Sequence, residues 1–214
     1  VNIFDSPWLT LLQEHRAIAV IRSPQMELGF QLAKAVAAGG MRLIEITWNS
    51  DRAGTLIAQL RSELPGCTIG TGTLLTLAQL KEAIADGAQF LFTPHTEETM
   101  IHAAVAAGIP IVPGALSPTE IVRGWQAGAG AVKVFPISAV GGAGYIKSLQ
   151  APLGDIPLIP TGGVTLDNAR EFIEAGAVAV GLAGDLFPKQ WVEARDWEAI
   201  AQRAHNLLQS LKSG

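Results

Sequence analysis

The sequence has little of what usually advertises a protein's chemistry. Only 16% of its 214 residues are charged, aromatics make up 6%, and Cys67 is the single cysteine. One thiol excludes an internal disulfide and fits a reducing compartment such as the cytoplasm. Its setting, "LPGCTIG", reads as a loop entering a strand rather than as the surroundings of a nucleophile. No run of Lys or Arg stands out and the net charge is −4. The footprint expected for nucleic acid or an anionic membrane is therefore missing. Gly, Pro or charge interrupts every apolar stretch well before the ~18 residues of a membrane span. His15, His95, His102 and His205 share no ligand spacing, which argues against a metal centre. No GxGxxG follows the first apolar run, which disfavours an open dinucleotide-binding sheet.

Apolar residues and glycine are plentiful: 49% of the chain is hydrophobic and 23 residues are Gly. This balance suits a compact globule with a large core, and the length suits one domain over residues 1–214. The opening "VNIFDSPWLTLLQEHR" lacks the basic and apolar regions of a signal peptide. It predicts a short amphipathic helix with Ser6 as N-cap and Pro7 in the first turn.

The glycines follow a repeat. In "AAGGMRLIEI", "ADGAQFLFTP", "AAGIPIVPG", "AGAGAVKVFP" and "EAGAVAVGL", an Ala-rich helical stretch ends at Gly39, Gly87, Gly108, Gly128 or Gly176. A run of β-branched or aromatic residues follows within a few positions. A left-handed glycine cap leading into a buried strand explains the pattern. "AIAVIR", "TIGTGT" and "PLIPTGG" fill the gaps. Eight strands result, at 17–22, 42–47, 68–72, 89–93, 109–112, 131–135, 157–160 and 178–182. Their starts lie about 20 to 26 residues apart, which leaves a helix in every interval. The expected fold is an α/β single domain, a (β/α)8 TIM barrel preceded by a short N-terminal helix.

Alternation along the strands then sorts the side chains. Ile44 and Ile46 share one face of "LIEIT", and Leu43, Glu45 and Thr47 share the other. Val132 and Val134 share one face of "AVKVF", and Lys133 and Phe135 share the other. The branched aliphatics suit the helix layer, so Glu45 and Lys133 point inward, near the strand ends where barrels carry active sites. A Lys133–Glu45 ion pair is one reading. The other is a Schiff-base amine: burial disfavours an ammonium, a neutral amine attacks a ketone, and Glu45 moves protons. Thr71 and Thr73 offer hydroxyls at the mouth of strand 3, and Phe135 and Pro136 offer an apolar wall. Thr161, Gly162 and Gly163 open the loop after strand 7. That loop serves either as a phosphate cradle or as a tight turn.

In order and spacing, "GGMRLIEIT", "IGTGTLL", "DGAQFLFTP", "IPIVPGALSPTE", "AVKVFP" and "IPTGGV" resemble the 2-keto-3-deoxy-6-phosphogluconate / 4-hydroxy-2-oxoglutarate aldolase family. The likeness runs from "AIAVIR" to "AVGLAGDLF". It implies a class I aldolase that cleaves a 2-keto-4-hydroxy acid to pyruvate and an aldehyde, without metal or cofactor, as a cytoplasmic homotrimer. It implies Lys133 as the Schiff-base lysine and Glu45 as the proton shuttle. Thr73 lies near the substrate, Pro94 and Phe135 shape the pocket, and Gly162 and Gly163 belong to a phosphate loop. Two features depart from the family pattern. Asn49 stands where many members carry an Arg for the substrate carboxylate, and Arg22 is a candidate replacement. Gly184 lacks the hydroxyl that usually meets the phosphate, and Asp185 beside it adds negative charge, as a helix cap or as a repellent. These departures bring in unphosphorylated substrates such as 4-hydroxy-2-oxoglutarate, and a decarboxylase acting on oxaloacetate through the same lysine. A keto-acid-binding barrel without activity is the non-enzymatic alternative. His95, in "FTPHTEE", either faces the pocket or precedes a helix capped by Thr96.

Overall fold

A computed structural model describes residues 6–212. Parallel strands curl into a barrel wrapped by helices, as the glycine repeat predicts. The strands are Ala17–Ile21 (β1), Leu43–Thr47 (β2), Thr68–Gly72 (β3), Leu91–Phe92 (β4), Ile111–Val112 (β5), Gly114–Ala115 (β6), Val132–Val134 (β7), Leu158–Pro160 (β8) and Val180–Leu182 (β9). Six of them pair in the order β5-β4-β3-β2-β1-β9, and three in the order β6-β7-β8. A bridge between Thr161 and Gly181 and a hydrogen bond from Val178 N to Leu158 O (3.0 Å) complete the ring.

The nine segments occupy eight strand positions, because β5 and β6 are halves of the predicted fifth strand, broken at Pro113. Proline has no N–H to give to a ladder. The break lets one half pair with β4 and the other with β7. The Pro113 carbonyl still accepts from Lys133 N at 2.9 Å. Several strands are shorter than expected, and the fourth retains only Leu91 and Phe92.

The first helix, α1 (Pro7–His15), begins where the sequence places it, although the Ser6 side chain makes no capping bond. The expectations for residues 1–5 lie outside the described residues. Trp8 and Leu12 of α1 pack with Ile18, Leu43, Phe90, Phe92 and Ile159 and fill the barrel from its N-terminal end. Each such side chain contributes about 1.5–3 kcal/mol on burial. Ile44, Ile46, Val132 and Val134 face the other way, into the core shared with the helices.

One cap differs from expectation. Gly87, Gly108, Gly128 and Gly176 are left-handed, but at "AAGG" the left-handed residue is Gly40 (φ 101°), not Gly39. Helix α2 (Met26–Ala38) ends with Gly39 still in the helical region. Gly39 is needed for another reason: a Cβ there would collide with the Ala201 carbonyl of the C-terminal helix, Trp197–Lys212.

Candidate active site

Lys133 sits at the centre of β7, is 6% exposed, and points into the barrel toward its C-terminal end. Its Nζ lies 4.7 Å from the centre of the Phe135 ring and 5.8 Å from that of Phe92. The ion pair with Glu45, one of the two readings of the sequence, is absent. The ion pairs among the described residues are Arg52–Asp51, Arg170–Glu174, Lys189–Glu193 and Arg203–Asp185. Aromatic faces offer a cation about 0.5–2 kcal/mol, and they do not tie up Nζ as a carboxylate would.

Glu45, on β2, is 1% exposed, and its Oε1 has no hydrogen-bond partner. Burial raises its carboxyl above the usual carboxylate value, and the positive charges of Lys133 and Arg22 oppose that rise. The sequence makes room for this group on β3. A Cβ at Gly72 would run into the Glu45 carboxylate, and one at Gly70 would run into the Phe90 ring. "IGTG" is therefore a gap into which a carboxylate and an aromatic ring fit. Thr73 follows with φ 62°, a left-handed conformation that β-branched residues avoid, at a cost of about 1–3 kcal/mol. Such strain is characteristic of functional sites. Thr71 does not serve as expected: its hydroxyl donates to Ile46 O at 2.6 Å and is occupied within the sheet wall.

Across the barrel, Thr161 places a second buried oxygen without a partner, Oγ1. Gly162 and Gly163 follow with φ 81° and 98°. Their carbonyls accept from Ser138 N (3.1 Å) and Asn168 Nδ2 (3.0 Å), while their N–H groups have no acceptor among the described residues. The loop is thus a tight turn that also presents two donors, the arrangement that cradles anions.

Two cavities of about 580 Å³ border the mouth on opposite sides. Pro94, His95, Gly114 and Phe135 help bound one, and Val20, Arg22, Thr47 and Gly184 help bound the other. Arg22 is exposed just beyond β1. Asn49 is exposed in the turn after β2 and bounds neither cavity. His95 faces one cavity, but Thr96 is not the cap of the helix that follows. Glu97 accepts from Thr99 N, and the Thr96 hydroxyl instead reaches Gly114 O at 2.9 Å.

Asp185 is also placed differently from expectation. Its Oδ2 accepts from Leu166 N (2.9 Å) and from Arg203 Nη2 (2.9 Å), and Arg203 Nε also binds its carbonyl (2.6 Å). The carboxylate caps no helix, and its charge is matched by a guanidinium. It fastens the loop after β9 to the loop after β8.

The sequence reading did not single out Phe90 and Phe92. Trp8, Phe90 and Phe92 form a column, with ring centres 5.1 and 5.8 Å apart, that rises to the underside of Lys133. The alternation in "QFLF" was the available signal. Ser23 and Ser50 were also missed. Ser23 N donates to Ser50 Oγ (3.1 Å), which lies 3.2 Å from Thr47 Oγ1, and this joins the loops after β1 and β2. Nothing short of the fold brings those two serines together. Among the described residues no three His, Cys, Asp or Glu converge as metal ligands, and no helix is long and apolar enough to cross a membrane.

A buried amine, a buried carboxyl and a pair of free N–H donors at the open end of a barrel suit chemistry on an anionic ketone. Comparison with known proteins points the same way. The sequence model described as "KDPG and KHG aldolase" matches residues 9–203. The 2-dehydro-3-deoxy-phosphogluconate aldolase of Treponema pallidum is 32% identical over 209 residues, covering 98% of this chain and 97% of that protein. The KHG/KDPG aldolase of Escherichia coli K12 is 30% identical over 203 residues, 95% of each chain. A crystal structure of KDPG aldolase from Legionella pneumophila, with pyruvate captured at low pH as a covalent carbinolamine intermediate, superimposes with a TM-score of 0.87. It is 26% identical and covers 94% of this chain and 98% of that one. The chain belongs to the KDPG and KHG aldolase family.

Proposed function

We propose that the chain is a class I, pyruvate-releasing aldolase in which Lys133 is the Schiff-base amine and Glu45 the proton carrier. The observation that carries this reading is the buried, unpaired Lys133 beside a buried Glu45 whose Oε1 has no partner. The Lys133 amine adds to the C2 ketone of a 2-keto-4-hydroxy acid, and loss of water gives an iminium. Glu45 as carboxylate takes the proton of the 4-hydroxyl, directly or through water, and the C3–C4 bond breaks. The aldehyde departs and the bond's electrons remain as an enamine. Glu45 returns a proton to C3, and water hydrolyses the iminium to release pyruvate and the amine. Burial raises the Glu45 carboxyl above its ordinary value, which makes it a better proton acceptor than an exposed carboxylate.

Thr73, Thr161, Pro94 and Phe135 line the route to the amine in this reading, and the Gly162 and Gly163 N–H groups hold an anionic end of the substrate. Arg22, on the lining of one cavity at the mouth, supplies the charge that Asn49 does not, and Gly184 sets the border on the β9 side. KDPG and KHG, the substrates in the relatives' names, are the first to assay. The ion pair of Asp185 with Arg203 removes one ground for the decarboxylase alternative. A homotrimer and a cytoplasmic location complete the proposal, and light scattering should return three times the mass of the chain.

The test is reductive trapping. Pyruvate and borohydride should leave an adduct that peptide mapping places on Lys133. A folded protein that takes up no adduct there would make the lysine a structural charge, and the aldolase reading would fall.

A further inference from the structure

The cavity on the β1, β2 and β9 side differs from a site built for a small, heavily charged group. It opens between Leu28 and Leu32, one turn apart on α2, and Phe187 and Val192 beyond β9, with Val20 and Pro24 completing the apolar wall. Leu28, Phe187 and Val192 are only half-buried, so they present apolar surface to the space. Of the charges on the lining, Lys189 pairs with Glu193 at 3.6 Å, and Arg22 enters no ion pair among the described residues. The volume of about 580 Å³ lies within the usual range of small-molecule sites, about 300–1,000 Å³.

The cavity borders the residues next to the proposed proton carrier. Val20 is the register partner of Glu45, and Thr47 lies two residues beyond Glu45 on the same face of β2. Gly184 forms the border, and a Cβ there would meet nothing within 4 Å. A residue with no side chain thus leaves the β9 edge of the apolar chamber open.

We propose that this chamber receives the aldehyde half of the substrate, so that the chain acts on 2-keto-4-hydroxy acids whose C4 substituent is an apolar chain. The inference rests on the Schiff-base reading of Lys133. In the synthetic direction, the pyruvate iminium on Lys133 loses a methyl proton to the Glu45 carboxylate and becomes an enamine. The enamine carbon bonds to the aldehyde carbon, Glu45 returns that proton to the aldehyde oxygen, and water hydrolyses the new iminium. Pyruvate and the aldehyde combine with no other co-reactant. The apolar substituent then lies against Leu28, Leu32, Phe187 and Val192 while its carbonyl carbon faces the enamine.

Pyruvate addition to the straight-chain aldehydes from propanal to hexanal tests this. Each added methylene should raise kcat/KM about fourfold until the chamber is full. Val192→Trp, which fills the chamber, and Leu28→Asn, which makes its wall polar, should each flatten that series. Both variants should still form the pyruvate adduct on Lys133. A flat series in the parent protein with the adduct intact overturns the chamber alone, as does a slope that neither variant changes. Failure to form the adduct overturns the Schiff-base reading and the chamber with it, so the two failures are distinguishable.

Discussion

The two ends of the barrel are built from the same strands and differ in what they leave unsatisfied. At the N-terminal end Trp8, Leu12, Leu43 and Phe90 fill the interior, each is at most 4% exposed, and what lacks a partner is a neutral indole donor, Trp8 Nε1. At the C-terminal end the same inward register carries Glu45, Lys133 and Thr161, and two of their oxygens have no partner. On β2 the change takes two residues, from Leu43 to Glu45. On β3 the inward positions Gly70 and Gly72, the register partners of Glu45 and Thr47, admit Phe90 and the Glu45 carboxylate in turn. One end holds the fold together, and the other spends some of that stability on groups that a fully paired interior would not contain.

Lys133→Arg should break this comparison hardest. Arginine keeps the charge but provides no amine that condenses with a ketone. Turnover should fall below about 10⁻⁴ of the parent, and trapping with pyruvate and borohydride should find no adduct at this position. Turnover close to the parent rate would remove Lys133 from the mechanism.

Glu45→Gln should act next most strongly, and in opposite directions on activity and stability. Losing the proton carrier should lower kcat by about 10²–10⁴. The stability effect follows from burial, which raises the folded carboxyl above its ordinary value of 4.5. A group raised on folding stabilises fully below its unfolded value, and that contribution is lost as pH rises through the folded one. Glu45→Gln should therefore melt higher than the parent at pH 8, and the gap should close as pH falls toward 4.5. A gap that widens on acidification would reverse the assignment.

At the opposite end, Trp8→Ala should cost about 3–5 kcal/mol of stability, read from urea unfolding. The kcat per folded molecule should change little, because the rings of Phe90 and Phe92 lie between Trp8 and Lys133. A large loss of kcat at full folding would mean that the aromatic column positions Lys133, and the two ends would no longer be separable.

The sequence predicts this division well where it depends on period and poorly where it depends on meeting. Alternation alone places Glu45 and Lys133 inside, and the glycine rhythm places the strands. The break at Pro113 is visible only once β6 is seen pairing with β7. Gly39 reads as a cap because a capping glycine and a close-approach glycine look alike in a sequence, and only the carbonyl of Ala201 tells them apart. The Lys133–Glu45 ion pair is the natural reading of two opposite charges on one face. It fails because inward register fixes direction and not distance, and Phe135 lies at 4.7 Å from the ammonium instead.

Asp185 offers the smallest expected effect. From sequence, a carboxylate beside Gly184 repels a phosphorylated substrate, so its removal should improve binding. In the structure the carboxylate faces Arg203 and Leu166 N, with side-chain exposures of 31% for Asp185 and 25% for Arg203. At such part-buried positions the pair is worth about 1 kcal/mol after solvent screening. Asp185→Asn should thus lower stability by about that amount and loosen the loops after β8 and β9. KM should rise for phosphorylated and unphosphorylated keto acids alike, by severalfold, with little change in kcat. A KM that falls for the phosphorylated acid alone would mean that the charge is felt at the site despite Arg203. The guanidinium would then be holding the loop without neutralising it.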